Sequence, residues 1–324
     1  MTEQAGPDFR GEDISVVIPT TGRATLRRAV ESVLGQTTPV GRVVVCNDGD
    51  HPLDLPADPR VTVLQVGPRA GGNAARMAGV RTASSRLVAL LDDDDRWRPD
   101  YVAVMLEAVN RSAPTGAWIA GSSVESDDGR RYPGRHKQES EDLLSYLFRL
   151  HGLRGKGALP TSTLLFPRDL ALSVPWHVDL RFHQDLTWLV EVFLDHPDLQ
   201  VVQVRRPLAL LDDTPGSVSK SIDIAASLDW ASRFLLTAAE RPREYGDFLL
   251  SRYPLRAAAA RGDWRLACRI TREAVRRGRP GGWALVFAAL YVARAGLQAA
   301  GARAGVGAVN PFRRRRAGDS GRSS

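Results

Sequence analysis

Apolar residues run in short blocks along the first two hundred positions, and each block has its own period. Residues 14–19 (Ile-Ser-Val-Val-Ile-Pro) are almost continuously apolar and β-branched. That pattern predicts a strand buried on both faces and stopped by Pro19. Residues 23–36 place Leu26, Ala29, Val30, Val33 and Leu34 on one helical stripe. A second strand is predicted at 43–46, closed by the turn-forming Asn47-Asp48-Gly49-Asp50, and a third at 61–66. A helix follows at 71–82, then a strand at 87–91 that runs directly into four aspartates. Pro99 opens the next helix, 100–110, in the favoured first-turn position. Strands alternating with helices predict an α/β fold: a mostly parallel, Rossmann-like sheet with helices on both faces.

Further on the pattern loosens. Strands are predicted at 118–124, 164–166 and 199–204, helices at 140–150 and 185–194, and a polar loop at 126–139. From 222 the chain is helical in character. In 263–277, Arg265, Arg269, Arg272 and Arg276 fall within an arc of about 60°, with Trp264, Ala267, Cys268, Ile270, Ala274 and Val275 on the other side. Residues 282–293 are apolar but are interrupted by Arg294, which makes the run too short for a membrane span of about 20 residues. The expected organisation is a disordered N-terminus (1–12), a catalytic domain (13–220), a C-terminal helical extension (221–310) and a basic disordered tail (311–324).

Composition adds two facts. With 43% hydrophobic and 25% charged residues the chain is globular, not disordered. Cys46 and Cys268 lie far apart and in no metal-ligand spacing. A disulfide framework is not expected, Cys46 reads as a buried thiol, and a reducing cytoplasm fits. The N-terminus has no basic region followed by a long apolar one, so no signal peptide is expected.

Charge is uneven. The formal net charge is +7, but from Arg256 onward 15 Arg stand against 3 acidic residues, a net of +12, which leaves −5 for the rest. A basic block of this kind suits an anionic surface, membrane lipid ahead of nucleic acid. Nucleic acid is not expected, because the block lacks interleaved aromatic residues. The expected location is therefore cytoplasmic or peripheral at the inner face of the cell membrane. A solvated helix face is the plain alternative.

The sharpest chemical feature is Leu91-Asp92-Asp93-Asp94-Asp95-Arg96-Trp97. Four adjacent carboxylates repel one another unless something neutralises them. At the end of a buried strand they lie where α/β sheets bind ligands. Carboxylate oxygens, completed by phosphate and water, are what Mg²⁺ and Mn²⁺ prefer. An acidic cap for the next helix is the other reading, but a cap needs one or two carboxylates rather than four.

Residues 15–20 (SVVIPT), Arg23, Gln36-Thr37, Asn47-Asp48-Gly49, 71–79 (GGNAARMAG) and 91–97 (LDDDDRW) follow one another in the order and spacing of family-2 glycosyltransferases. The resemblance covers roughly residues 13–215 and implies a GT-A fold and an inverting, nucleotide-diphospho-sugar-dependent enzyme. It further implies that Pro19, Thr20 and Arg23 line the nucleotide, and that Asp48 accepts from the base, which favours uracil. Gly72 and Arg76, with Gly71 and Asn73, then lie beside the sugar and diphosphate. Asp92 and Asp94 match the ends of the Asp-x-Asp motif. Asp94 and Asp92 become the metal ligands, for Mn²⁺ or Mg²⁺, and Asp92 and Asp93 contact ribose or metal-bound water.

In Phe182-His183-Gln184-Asp185, which resembles the family's acidic pair before a helix, Gln184 replaces the first acid. Asp185 stands alone as the implied catalytic base. A helix N-cap would also suit an Asp there. His183 either lines the same site or is structural. Thr161, Ser162 and Thr163 fall where relatives present small polar residues to donor or acceptor. The Arg130, Arg131, Arg135, His136 and Lys137 loop is either an acceptor-side grip or a solvated segment.

The implied function is transfer of a sugar from a nucleotide-sugar donor, UDP-linked by preference. The acceptor hydroxyl belongs to a cell-surface glycan, a lipid-linked glycan or a small-molecule glycoside. Two alternatives stand beside it: a nucleotidyltransferase acting on a sugar phosphate, and a catalytically inactive GT-A domain serving as a partner protein. The first would show a Gly-rich basic loop after the first strand, where this chain has Pro-Thr-Thr-Gly-Arg.

Overall fold

The computed structural model describes residues 8–152, 155–212 and 223–303. The basic tail, including Arg313 to Arg316, lies outside the described residues, as do positions 1–7 of the expected disordered N-terminus. Residues 8–12 of that segment are ordered. Phe9 packs against Trp118 with ring centroids 5.9 Å apart, and its N–H donates to Asn110 Oδ1 at 3.0 Å.

The first half follows the apolar blocks. Strands β1 (Ile14–Thr20), β2 (Arg42–Asn47), β3 (Val61–Gln65) and β4 (Leu87–Leu90) alternate with helices α1 (Leu26–Leu34) and α2 (Gly72–Thr82). All four strands are parallel, in the order β3-β2-β1-β4. Pro19 does not stop β1, which still pairs with β2 through Thr20. On the β4 side, pairing ends at Val17↔Leu90. The missing N–H of Pro19 therefore breaks no ladder bond. Helix α1 begins three residues later than the stripe predicts, which leaves Arg23 in the loop above the sheet.

The second half supplies β5 (Arg96–Trp97), α3 (Tyr101–Ser112), β6 (Trp118–Ser126), β7 (Arg131–Tyr132), α4 (Leu143–Phe148), β8 (Leu165–Pro167), α5 (Arg168–Ser173), α6 (Gln184–Asp195) and β9 (Gln200–Leu211). The sheet continues as β4-β8-β6-β9-β5. Here β8 is antiparallel to both β4 and β6, and β5 to β9, while β6 and β9 are parallel. The parallel character is thus confined mainly to the β3-β2-β1-β4 half of a mixed α/β sheet. Register shifts around Ser122 and Ser123 interrupt the β6–β9 ladder.

Helices α7 (Ile224–Trp230), α8 (Pro242–Ser251), α9 (Pro254–Ala260), α10 (Trp264–Arg277) and α11 (Gly282–Arg303) form the C-terminal region, with a π-helical stretch at Ala231–Ala238. They share one core with the sheet: Trp230 and Phe248 lie in the same buried cluster as Phe148, Phe166 and Trp188. Two buried acids fasten them. Glu244 accepts from Ser145 Oγ and Arg149 Nε, each at 3.0 Å, and Asp247 accepts from the N–H groups of Leu150 and Gly281 at 2.9 and 2.7 Å. Helix α11 is longer than the sequence suggests. Residues Gly282–Ala300 are apolar and long enough to cross a membrane by length and composition, so the expected limit at Arg294 does not hold.

Candidate active site

The parallel strands deliver their C-terminal ends to one cleft of about 570 Å³. Pro19, Thr20, Arg23, Asp48, Gly72, Arg76, Asp92, Asp93, Asp94 and Asp185 all line it. These residues, with His183, are therefore brought to one place, whereas Gly71, Asn73, Thr161, Ser162, Thr163 and the loop at 126–139 do not line it.

After β4 the backbone turns tightly, with Asp95 N–H bonded to the Asp92 carbonyl at 3.1 Å. The turn divides the four aspartates. Asp92, Asp93 and Asp94 face the cleft, whereas Asp95 turns inward. Its carboxylate accepts from Ser162 Oγ and from the Asp212 N–H. Burial, and then Asp92, push its pKa up to about 8. Asp95 thus anchors β5 and the end of β9 and does not reach the ligand space.

The other three are matched to donors. Asp93 is buried and accepts from Thr20 Oγ1 at 2.6 Å and from Arg23 at 3.3 Å. Asp94 accepts from Arg23 Nη1 at 2.5 Å, and Asp92 from Arg76 Nη2 at 2.7 Å. The carboxyls of Asp93 and Asp94 are both held above the usual range, chiefly by burial. For Asp94 the next cause is the negative charge of Asp92. Two arginines therefore leave the cluster short of full neutralisation.

Arg76 is the central cation. It projects from α2, where a Cβ at Gly72 would come within 3.4 Å of its Nη1, and it is only 7% exposed. Its Nη1 lies 3.6 Å from Asp185 Oδ1 and 3.4 Å from Gln184 Oε1. Asp185 occupies the first turn of α6 but does not cap it, since the N-cap is His183. Asp185 Oδ1 is buried and accepts no hydrogen bond, while Oδ2 accepts from Thr161 Oγ1 at 2.5 Å. The side chain as a whole is 36% exposed.

Asp48 lines the cleft but is also tied to the backbone. Its two oxygens accept from Ala70 N–H at 2.6 Å and Gly71 N–H at 2.8 Å. It thereby fixes the loop that opens α2. Gly67 permits this approach, because a Cβ there would sit 2.1 Å from Asp48 Oδ1.

Several neighbours take supporting roles around the cleft. Thr161 and Ser162 are holders of Asp185 and Asp95, a role distinct from the expected presentation to donor or acceptor. His183 adopts a left-handed backbone (φ 56°) and hydrogen-bonds Ser227 Oγ at 2.8 Å. Its ring is enclosed by Trp230, Phe248 and Tyr253, and burial, helped by Arg252, lowers its pKa to about 4. Ser227 and Tyr253 of the C-terminal region also line the cleft. No local sequence signal links them to it. Arg135, read as an acceptor-side or solvated residue, is neither. It is buried in a two-point pair with Glu141 at 2.7 and 2.5 Å.

Among the described residues no group of three or more His, Cys, Asp or Glu side chains is arranged to hold a metal ion. Asp92 and Asp94 nonetheless suit a hard divalent cation that takes its remaining ligands from diphosphate and water, as Mg²⁺ commonly does with one or two carboxylates. Burial first, and then the charge of Asp92, holds the Asp94 carboxyl up, and a bound cation would favour its charged form.

Comparison with known proteins agrees with the geometry. Residues 15–168 match the family Glycosyl transferase family 2. The chain is 37% identical over 126 residues to the succinoglycan biosynthesis protein ExoO of Rhizobium meliloti, covering 36% of this chain and 35% of that protein. It is 28% identical over 167 residues to the amylovoran biosynthesis glycosyltransferase AmsB of Erwinia amylovora, covering 49% and 53%. The match thus spans about half or less of these relatives. The fold is similar to that of S. aureus TarS 1-349 in complex with UDP-GlcNAc, at a TM-score of 0.57 and 12% identity over 90% of this chain and 92% of that one. Residues 15–168 are thus similar to glycosyl transferase family 2, and they sit on a GT-A-type α/β fold.

Proposed function

We propose that the cleft transfers a sugar from a nucleoside diphosphate, by preference UDP, to a hydroxyl of a cell-surface polysaccharide, with inversion at the anomeric carbon. The observation that carries this reading is Arg76, which joins Asp92 on the nucleotide side to Asp185 on the opposite wall. A donor lying along Asp92 to Asp94 places its sugar near Asp185.

In this reading Pro19, Thr20 and Arg23 line the nucleoside. Asp48 turns its remaining lone pairs to the base, since each carboxylate oxygen can accept a second bond. Asp94 and Asp92 are the residues that hold Mn²⁺ or Mg²⁺, which when bound offsets charge on the leaving diphosphate. Asp185 Oδ2 takes the proton of the acceptor hydroxyl as its oxygen bonds to the anomeric carbon. The bond from that carbon to the diphosphate oxygen breaks, and nucleoside diphosphate leaves. Single displacement needs no protein nucleophile.

The polysaccharide acceptor is inferred from the relatives named for succinoglycan and amylovoran biosynthesis, and the uridine donor from TarS with UDP-GlcNAc. The test is a binding and turnover screen of the full chain with UDP-, GDP- and dTDP-sugars and Mn²⁺ or Mg²⁺. The expected result is cation-dependent binding of a UDP-sugar that Asp94→Ala abolishes. Release of pyrophosphate instead of nucleoside diphosphate would favour nucleotidyl transfer and overturn the reading.

A further inference from the structure

Helix α11 is built inside out for a water-soluble surface. At 100° per residue, Ala284, Ala288 and Ala295 share one face, and all three are buried. That small-residue face lies against α8, α9 and α10. Phe287, Tyr291 and Val292 also pack partly against the core, but four other large apolar residues point the other way. Trp283, Val286, Leu290 and Leu297 fall within an arc of about 60° and are 49%, 50%, 64% and 76% exposed. Only 17% of the apolar stretch Gly282–Ala300 is buried. An amphipathic helix serving only this fold would place its large apolar residues inward.

Charge beside the patch narrows the choice of partner. On α10, Arg265, Arg269, Arg272 and Arg276 are exposed. Arg272, Val275 and Arg276 share one groove with Val292 of α11, so the arginine row runs along the edge of the apolar helix. The two helices contain one acidic residue, Glu273, and it is occupied by Arg277 Nη1 at 2.9 Å and Tyr245 at 3.1 Å. Among the described residues no carboxylate of these two helices pairs with Arg265, Arg269, Arg272 or Arg276. Two copies packed here face to face would bring arginine rows together without compensation. An anionic lipid surface answers both features: its phosphates meet the guanidinium groups and its acyl boundary takes the apolar side chains.

We propose that α10 and α11 form an interfacial docking face for an anionic phospholipid bilayer, with α11 lying in the plane of the membrane. Length and composition would also allow α11 to cross the bilayer. Crossing, however, would strip Ala284, Ala288 and Ala295 from their contacts with α8, α9 and α10, whereas lying flat preserves them. This inference is independent of the sugar-transfer reading, because none of its residues lines the catalytic cleft.

The experiment is flotation of the full chain with vesicles of phosphatidylglycerol mixed with phosphatidylcholine, against phosphatidylcholine alone. The mixed vesicles should carry the protein, with binding that weakens as salt rises. Leu290→Gln/Leu297→Gln should lower partition at least about tenfold. Arg269→Gln/Arg272→Gln/Arg276→Gln should lower it on the order of a hundredfold. All of these side chains are exposed, so both variants should keep the native melting temperature and donor binding. Absence of flotation, equal binding to both vesicles, or variants that float like the native chain would overturn the proposal. So would a concentration-dependent dimer that Leu290→Gln/Leu297→Gln abolishes in a chain that does not float.

Discussion

Arg76 Nη1 stands 3.6 Å from Asp185 Oδ1 while the same guanidinium grips Asp92. One buried cation thus sets the relative position of two carboxylates 93 residues apart in sequence (185 − 92). Replacing it by methionine keeps the apolar stem and leaves both acids without their counter-charge. Arg76→Met should lower kcat/KM on the order of a hundredfold. The stability cost should be only roughly 1–2 kcal/mol, because both carboxylates are about a third exposed. Arg76→Lys should not restore the rate, since one ammonium cannot reach both acids as a planar fork does. Steady-state kinetics and urea melts separate the two effects.

His183 should give the fold an acid-sensitive step. Its pKa in the native state is about 4, below the 6.5 of a free imidazole. The unfolded chain therefore binds the proton more readily between those values. The stability this histidine contributes is complete above about pH 6.5 and is lost as pH falls through about 4. The loss should be on the order of 2 kcal/mol. His183→Gln, which retains a polar partner for Ser227, should flatten the dependence. Urea denaturation from neutral pH to pH 4.5 checks it.

Gly79 should tolerate no side chain. A Cβ there would lie 2.4 Å from Val17 Cγ1 and 2.8 Å from Cys46 Sγ, both fully buried. Gly79→Ala should cost about 1–3 kcal/mol, read as a lower urea midpoint with an unchanged slope.

The two thiols should differ sharply. Burial pushes Cys46 up to about 12, so its thiolate is scarce, while Cys268 is only partly buried. Iodoacetamide should label Cys268 in the native protein and Cys46 only after unfolding. Native labelling of Cys46 would contradict the packing of β2 against α2.

What the sequence made legible follows from which interactions are local. Residues 14–20, 42–47 and 87–90 announce themselves because strands covered on both faces need nearly unbroken apolar runs, while the edge strand at 61–65 leaves Val63 half exposed. The sequence pattern predicts a strand over 199–204, yet β9 continues to Leu211 beside β6 and β5. Strand β5 is two residues long and exists only through that pairing. The acidic cluster marked the site, but nothing local shows that Asp95 would turn inward. That outcome depends on Ser162, 67 positions away. The identity of Arg135 as a buried residue likewise depends on Glu141 and the carbonyl of Tyr146. The C-terminal helices were legible as helices, and the arginine face of α10 is exposed as its period requires. Their share in the cleft, through Ser227 and Tyr253, is a tertiary fact.

The central claim is that Asp185 removes the acceptor's proton while the nucleotide-sugar is held elsewhere in the cleft. The most direct measurement pairs donor binding by calorimetry with single-turnover transfer for Asp185→Asn. The account predicts donor affinity within about twofold of native and a transfer rate lowered by at least about 10²–10⁴. Native-like transfer by Asp185→Asn would contradict it.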